Sequence, residues 1–291
     1  MKRKKKTKKT ISRELGLEIG SICGRHFLKL KHLHYGYWTD GLEVDAWNLH
    51  LAQDEYVKFI ISHIPDGVKT ILDVGCGTGE IAETLLNMGY EVDCVSPCPF
   101  LEKQAGELLG DRTHIFECFY EDMQTTNRYD MIMFCESFQY IDVEQALLKT
   151  NEFLKNGGYL FICDVFAKGK KGKGVMGGGH KLDKFNDHIT KFPFRLIENI
   201  DITEETAPNM DLFGDALKNV IQPVTDVAVR FFKSRYPIAT KLLKWKYRKK
   251  FEKAQKKYLE GGRSGEDFKR YKSYQLFIYK KDIQEKTQPA H

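Results

Sequence analysis

The most specific chemistry in this 291-residue chain lies in one stretch, Ile71 to Glu80, which reads Ile-Leu-Asp-Val-Gly-Cys-Gly-Thr-Gly-Glu. Ile71, Leu72 and Val74 with Asp73 interposed read as a buried strand. Gly75, Gly77 and Gly79 read as a tight turn, and the periodic apolar residues from Ile81 to Met88 as a helix. A strand, a glycine turn and a helix in that order place a ligand at the helix N-terminus of an open α/β sheet. Two phosphate-binding versions are excluded. The dinucleotide fingerprint needs a glycine at the sixth position from Gly75, where Glu80 stands, and no Lys-Ser/Thr follows for a P-loop. Asp73 and Glu80 would also repel a phosphate. Acids beside glycines suit a ligand with a cationic amino group next to a carboxylate, the latter meeting helix N–H groups.

Three further groups stand where strands end, and so where such a site would lie. Glu136 follows the apolar run Met131–Cys135 and is either a carboxylate facing a substrate, as base or orienting dipole, or an acid of a helix N-cap region. Asp164 ends another apolar run and can equally cap a loop. His180 follows Gly177, Gly178 and Gly179, a run that permits close backbone approach to a ligand, and is a candidate general base or a structural histidine. The seven cysteines include no Cys-x-x-Cys pair, and Pro97 and Pro99 break any helical face shared by Cys94 and Cys98, so reduced thiols and no metal site are expected.

These residues are positioned by alternating elements. Strands are predicted over 69–74, 90–95, 113–118, 129–135, 158–164, 194–201 and 274–279, with helices over 79–88, 99–109, 142–155 and 181–191. Such alternation implies an α/β fold with parallel strands and right-handed crossovers, the last strand returning antiparallel at the sheet edge. Ahead of the sheet come two helices. One covers 10–33, with Leu15, Ile19, Ile22 and Phe27 in phase; the other covers 45–64, with Trp47, Leu51, Tyr56, Phe59 and Ile60 on its apolar side. Between them His34-Tyr35-Gly36-Tyr37-Trp38 is a dense aromatic turn, either a packing knot or a flap over a flat ligand. The expected division is a basic tail at 1–10, a helical cap at 11–66, a core at 67–202, a helical lid at 203–270, a final core strand at 271–283 and a tail at 284–291.

Asp73-Val-Gly-Cys-Gly-Thr-Gly79 resembles the first motif of the class I S-adenosylmethionine-dependent methyltransferases, and the aromatic turn and Glu136-Ser137-Phe138 resemble the small-molecule subgroup. The resemblance implies a Rossmann-like seven-stranded, mostly parallel sheet and S-adenosylmethionine as cofactor. It implies cofactor contacts from Asp73, Gly75, Cys76, Gly77 and Gly79, with Tyr37 from the flap. Two positions depart from the family. Ser96 stands where an acid bridges the ribose hydroxyls, a weaker partner than a charged acceptor. Phe119, followed by Tyr120, Glu121 and Asp122, stands where an Asp often meets the adenine amine. Glu136 and His180 are then the catalytic candidates. Cys-Glu-Ser-Phe after the fourth strand replaces the Asn/Asp-Pro-Pro-aromatic motif of enzymes that methylate exocyclic amines of DNA bases or protein glutamine.

Charge and composition bound the partners. Seven basic residues among positions 2–9 exceed the net charge of +6, leaving −1 for the rest of the chain. No run approaches the roughly 20 apolar residues of a membrane span, and no apolar signal core follows the basic start, so a cytoplasmic protein is expected. Nine basic residues against Glu252 between Lys241 and Lys257 suggest, with the tail, peripheral contact with an anionic membrane. The leading expectation is methyl transfer to a small-molecule or lipid acceptor at O, N or C. The alternatives are RNA or protein methylation through the lysine tail, with nucleic acid disfavoured, and a non-catalytic module on a cofactor fold.

Overall fold

A computed structural model describes residues 8–169, 178–258 and 264–283. The expected lysine tail before residue 8, the centre of the glycine- and lysine-rich segment and the C-terminal tail lie outside the described residues. The sheet comprises β1 (Thr70–Val74), β2 (Glu91–Val95), β3 (Ile115–Phe116), β4 (Tyr129–Cys135), β5 (Leu154–Ala167), β6 (His180–Lys181), β7 (Phe194–Asp201) and β8 (Lys272–Lys281). The strand order is β3-β2-β1-β4-β5-β8-β7, with the two-residue β6 beside the end of β5. β8 runs antiparallel to both β5 and β7, while β1 to β5 pair in parallel. Apart from β6, this is the expected seven-stranded Rossmann-like sheet with an antiparallel last strand, but β8 lies between β5 and β7 and leaves β7, not β8, at the edge. From β1 the chain winds outward to β3 and then returns to β4 on the other side of β1. That reversal opens a crevice beyond the carboxyl ends of β1 and β4.

Alternation along the strands supplies two buried faces. Ile71, Met131, Met133, Phe161, Leu276 and Ile278 face one side, and Leu72, Ile132, Phe134, Leu160, Ile162 and Phe277 the other. Each such side chain contributes about 1.5–3 kcal/mol on burial. This scaffold holds the strand ends rigid.

The helices preceding the sheet are α1 (Lys8–Leu28) and α2 (Leu49–Ser62). α1 stops five residues before the expected boundary because Lys29 turns left-handed at φ 56°, and the Leu30 N–H closes back on Gly24 O at 3.1 Å. Its expected apolar stripe faces outward: Leu15, Ile19, Ile22 and Phe27 are all exposed. α2 buries Ala52, Gln53, Tyr56, Val57 and Ile60, one step around from the predicted face, which leaves Trp47 and Leu51 exposed. α3 (Glu80–Asn87), α4 (Pro99–Leu109), α5 (Val143–Phe153) and α6 (Leu182–Ile189) follow the strands. Between β7 and β8 lie α7 (Thr203–Thr206), α8 (Pro208–Ala216), a π-helical turn over Leu217–Ile221, α9 (Gln222–Arg235), α10 (Pro237–Tyr258) and α11 (Gly265–Tyr271).

Candidate active site

The glycines at the end of β1 have distinct duties. Gly75 has φ +83° and donates its N–H to Val95 O at 2.8 Å, and a Cβ there would lie 2.5 Å from Ser137 Cβ. Gly79, the N-cap of α3 at φ +91°, would press a Cβ against Ala105 and Leu109 of α4 at 3.2 Å. Neither tolerates a side chain. Gly77, at φ +59°, has nothing within 4 Å of where its Cβ would be, so its backbone is open to a ligand.

Around this turn a cleft is lined by Asp73, Gly75, Cys76, Gly77, Thr78 and Glu80 from the β1–α3 junction, and by Ser96 and Phe119 beyond β2 and β3. Tyr120, Glu121, Glu136, Leu33 and His34 complete its walls. Asp73 is 3% exposed, and its Oδ2 has no hydrogen-bond partner, so desolvation pushes its carboxyl up to about 7. A buried carboxylate oxygen without a donor fits the amino group of an amino-acid-like ligand. Tyr120 presents only its ring, because its hydroxyl is shared with Thr150 Oγ1 at 3.0 Å in the core.

Glu136 is the strained member of the site. It stands one residue past β4 at φ +57°, a left-handed conformation that is uncommon for any residue but glycine, and its N–H bonds Cys163 O at 2.9 Å. Its Oε1 accepts the Tyr35 N–H at 2.6 Å and the Tyr274 hydroxyl at 2.8 Å. Tyr56 lies 2.9 Å from Tyr274 Oη. Since Tyr274 gives its single proton to the carboxylate, Tyr56 is the donor in that second contact. Desolvation pushes Glu136 up to about 8, against the two hydrogen bonds that favour its charged form and with a smaller push from Asp164. His34 stacks on Tyr56 at 4.4 Å and bonds Tyr35 O through Nδ1 at 2.8 Å, so Nδ1 carries the proton. Burial and neighbouring His32 lower His34 to about 3, and it is a neutral ring.

Three sequence candidates lie elsewhere. His180 does not line the cleft. Its Nε2 meets Phe138 O at 3.1 Å, and its ring stands edge-on to Phe138, which makes it a packing histidine. Tyr37 turns away to stack on Phe59 at 5.0 Å, and its N–H bonds Ala52 O at 2.8 Å. Asp164 is fully buried and spent on Gln139 (N–H at 2.9 Å, Nε2 at 3.0 Å) and on the Val165 N–H at 2.7 Å. The aromatic turn is thus divided. Its first half, His34 and Tyr35, serves the cleft, and its second half packs.

A second, apolar chamber of about 530 Å³ adjoins the cleft, the two sharing Leu17, His32, Leu33 and His34. Its walls come from α1 (Gly16, Gly20, Leu28), α2 (Leu49, Gln53) and α8 (Met210, Leu212, Phe213). Sequence reasoning missed the inward face of α1. Gly16 and Gly20, four apart, were the available signal: they leave room beside the helix, whereas the apolar stripe points outward.

Strand order and glycine-turn cleft are similar to those of class I S-adenosylmethionine-dependent methyltransferase domains. Residues 72–162 match the family model described as a methyltransferase domain. A putative methyltransferase of Geobacillus sp. (strain WCH70) is 29% identical over 45% of this chain and 56% of its own. A ubiquinone biosynthesis O-methyltransferase of Bradyrhizobium diazoefficiens is 27% identical over 50% of this chain and 63% of its own. The chain therefore spans less than two thirds of each. In architecture it is similar to the [4+2]-cyclase SpnF, with a TM-score of 0.67 at 15% identity over 96% of this chain and 97% of that one. The geranyl diphosphate C-methyltransferase of Streptomyces coelicolor A3(2), solved with S-adenosyl-L-homocysteine, gives a TM-score of 0.60 at 17% identity over 91% and 93%.

Proposed function

We propose that this protein methylates a small, apolar acceptor bearing a nucleophilic O, N or C, bound where the apolar chamber meets the cleft. The observation that carries the reading is the placement of Glu136. Its carboxylate lines the same cleft as the open backbone of Gly77, with one oxygen held by Tyr35 and Tyr274. S-adenosylmethionine, when bound, supplies an electrophilic methyl group on a sulfonium. In this reading Asp73 receives the amino group, the Gly75–Gly77 backbone holds the carboxylate end, Ser96 meets the ribose, and Phe119 with Glu121 flanks the adenine. The chain's remaining task is alignment in a dry site, since in-line displacement depends chiefly on orientation. Leu17, Leu33 and the α8 wall exclude water from the acceptor side. Glu136, as carboxylate, accepts a proton from the acceptor through its second oxygen, while Tyr35 and Tyr274 fix the first.

Calorimetry with S-adenosylhomocysteine tests the cofactor assignment; no binding at millimolar concentration would sink it. For the acceptor, the protein and a tritiated methyl donor are incubated with a cell extract, which is then separated into lipid, small-molecule, protein and RNA fractions. Label in the lipid or small-molecule fraction is expected, and label confined to RNA or protein overturns the reading. Glu136→Gln should bind S-adenosylhomocysteine as the parent does, yet lose about 10²–10⁴-fold in transfer rate. Unchanged turnover would remove Glu136 as the base.

A further inference from the structure

Between β7 and β8 the chain builds a helical hairpin whose surface the methyl-transfer reading does not use. No residue of α9 is buried. Val224, Val227 and Phe231 follow one another at three- and four-residue steps along one face of α9, and Ile238, Leu242 and Trp245 do the same along α10. All six are exposed, Ile238 at 77% and Trp245 at 79%. The turn between the helices is closed by Thr240 Oγ1 bonding Phe232 O at 3.0 Å and by the Tyr236 N–H bonding the same oxygen at 2.8 Å, so the two stripes belong to one connected unit. Apolar surface on this scale marks an interaction site rather than ordinary exposure.

Charge decides what covers it. From Gln222 to Lys249 there are eight basic residues and one acid, Asp226. We propose that the α9–α10 hairpin docks on an anionic lipid surface, its lysines and arginines meeting headgroup phosphates while Phe231, Ile238, Leu242 and Trp245 enter the acyl boundary. A second copy of the chain would bring two such basic faces together. A nucleic acid would satisfy the cations and the aromatics but offers nothing to Val224, Val227, Ile238 and Leu242. An anionic bilayer presents headgroup phosphates and hydrocarbon within one side-chain length, and so meets the cations and the apolar stripes together. No helix among the described residues is long and apolar enough to cross a membrane, so the hairpin lies on the surface. The hairpin also continues from α8, whose Leu212 and Phe213 wall the apolar chamber.

The test needs no methyl donor, so its failure and that of the methyl-transfer reading are distinguishable. Full-length protein is sedimented with vesicles of phosphatidylcholine alone and with a quarter phosphatidylglycerol. Binding to the anionic vesicles is expected, with little to the neutral ones. A Lys241→Gln, Lys244→Gln, Arg248→Gln variant should bind about a hundredfold more weakly, at about 1 kcal/mol per basic residue, and the corresponding glutamate variant more weakly still. Ile238→Ser, Trp245→Ser should also lose binding, with an unaltered melting temperature because both positions are exposed. In a Trp47→Phe background, Trp245 emission should shift to the blue on anionic vesicles. Equal binding by parent, charge variants and serine variant overturns the proposal. So does a dimer in ultracentrifugation that the serine variant dissociates, or single-stranded RNA binding that the glutamate variant loses and the serine variant keeps.

Discussion

At the scale of single residues, the site turns on how Glu136 is held. A glutamate pushed up to about 8 is mostly protonated at neutral pH, so a reaction using it as base should accelerate as pH rises through that value. Tyr274 opposes the burial by donating to Oε1 at 2.8 Å. Removing that bond withdraws support from the anion alone, and a hydrogen bond to a charged group is worth about 1.5–3 kcal/mol. Tyr274→Phe should therefore move the acidic limb of kcat/KM to higher pH by about one unit or more. A purely structural tyrosine would lower the melting temperature and leave the limb in place. The pH profile separates the two. None of this was legible from Glu136 and Tyr274 as letters. They lie 138 positions apart, and only the antiparallel insertion of β8 beside β5 brings them together.

At the scale of elements, the joint between the aromatic turn and α8 deserves a direct probe, because it closes the chamber. Asn209 accepts the Gly36 N–H at 2.8 Å and donates to Gly36 O at 2.7 Å and to Thr206 O at 2.8 Å. A Cβ on Gly36 would strike Ala52 Cβ at 2.5 Å, so α2 and α8 clamp that backbone from two sides. Asn209→Ala leaves two buried backbone groups of Gly36 unpaired, at about 1–3 kcal/mol each. The variant should melt lower, and amides 34–37 should exchange faster while those of β4 and β5 keep their protection. Uniform loss of protection would instead mean that the clamp is not local. The β1 turn and the strand alternation could be read from the chain because each is a local pattern with one steric solution, and so could the antiparallel sense of β8, but its place between β5 and β7 is set by tertiary pairing and could not. The inward face of α1 could not be read, and that of α2 only in part, since Tyr56 and Ile60 are buried and Phe59 packs on the core as expected while Trp47 and Leu51 are exposed. On α1 both sides carry apolar residues, and the side with Gly16 and Gly20 is the one that lines the chamber also walled by α8. β3 is shorter than expected, at Ile115–Phe116, and pairs only with β2. His180 lies away from the cleft for a related reason. A glycine run before a histidine predicts close backbone approach, and here the backbone approached was Val165 of β5.

For the whole molecule, the buried acids set a pH dependence of stability. Asp73 and Asp164 are pushed up to about 7 and Glu136 to about 8, each chiefly by burial, from ordinary values of 3.8 and 4.5. An acid whose folded-state pKa is raised holds its proton in the folded state after the unfolded chain has lost it. Stability therefore falls as pH rises between the two values. His32 and His34 act in the opposite direction, lowered from 6.5 to about 4 and about 3, so they stabilise the fold increasingly as pH rises toward 6.5 and then contribute nothing more. Below about pH 6.5 the two histidines offset most of the effect of the three acids. Between about 6.5 and 8 the acids act alone, with Glu80, also raised by burial, adding in the same direction. Asp130, lowered to about 2 with help from Lys155, is ionised in both states across this window and contributes no slope. The ligand-free protein should thus show a melting temperature that falls steadily from about pH 5 to 8, by on the order of 10 °C in all, because two histidines cannot cancel three acids below 6.5 and contribute little above it. Asp73→Asn with Glu136→Gln removes two of the three principal acids and should abolish the fall, because Asp164 alone no longer outweighs the two histidines, measured by calorimetric melts in buffers of matched ionic strength. A double variant that kept the full slope would place the controlling ionisations outside the cleft.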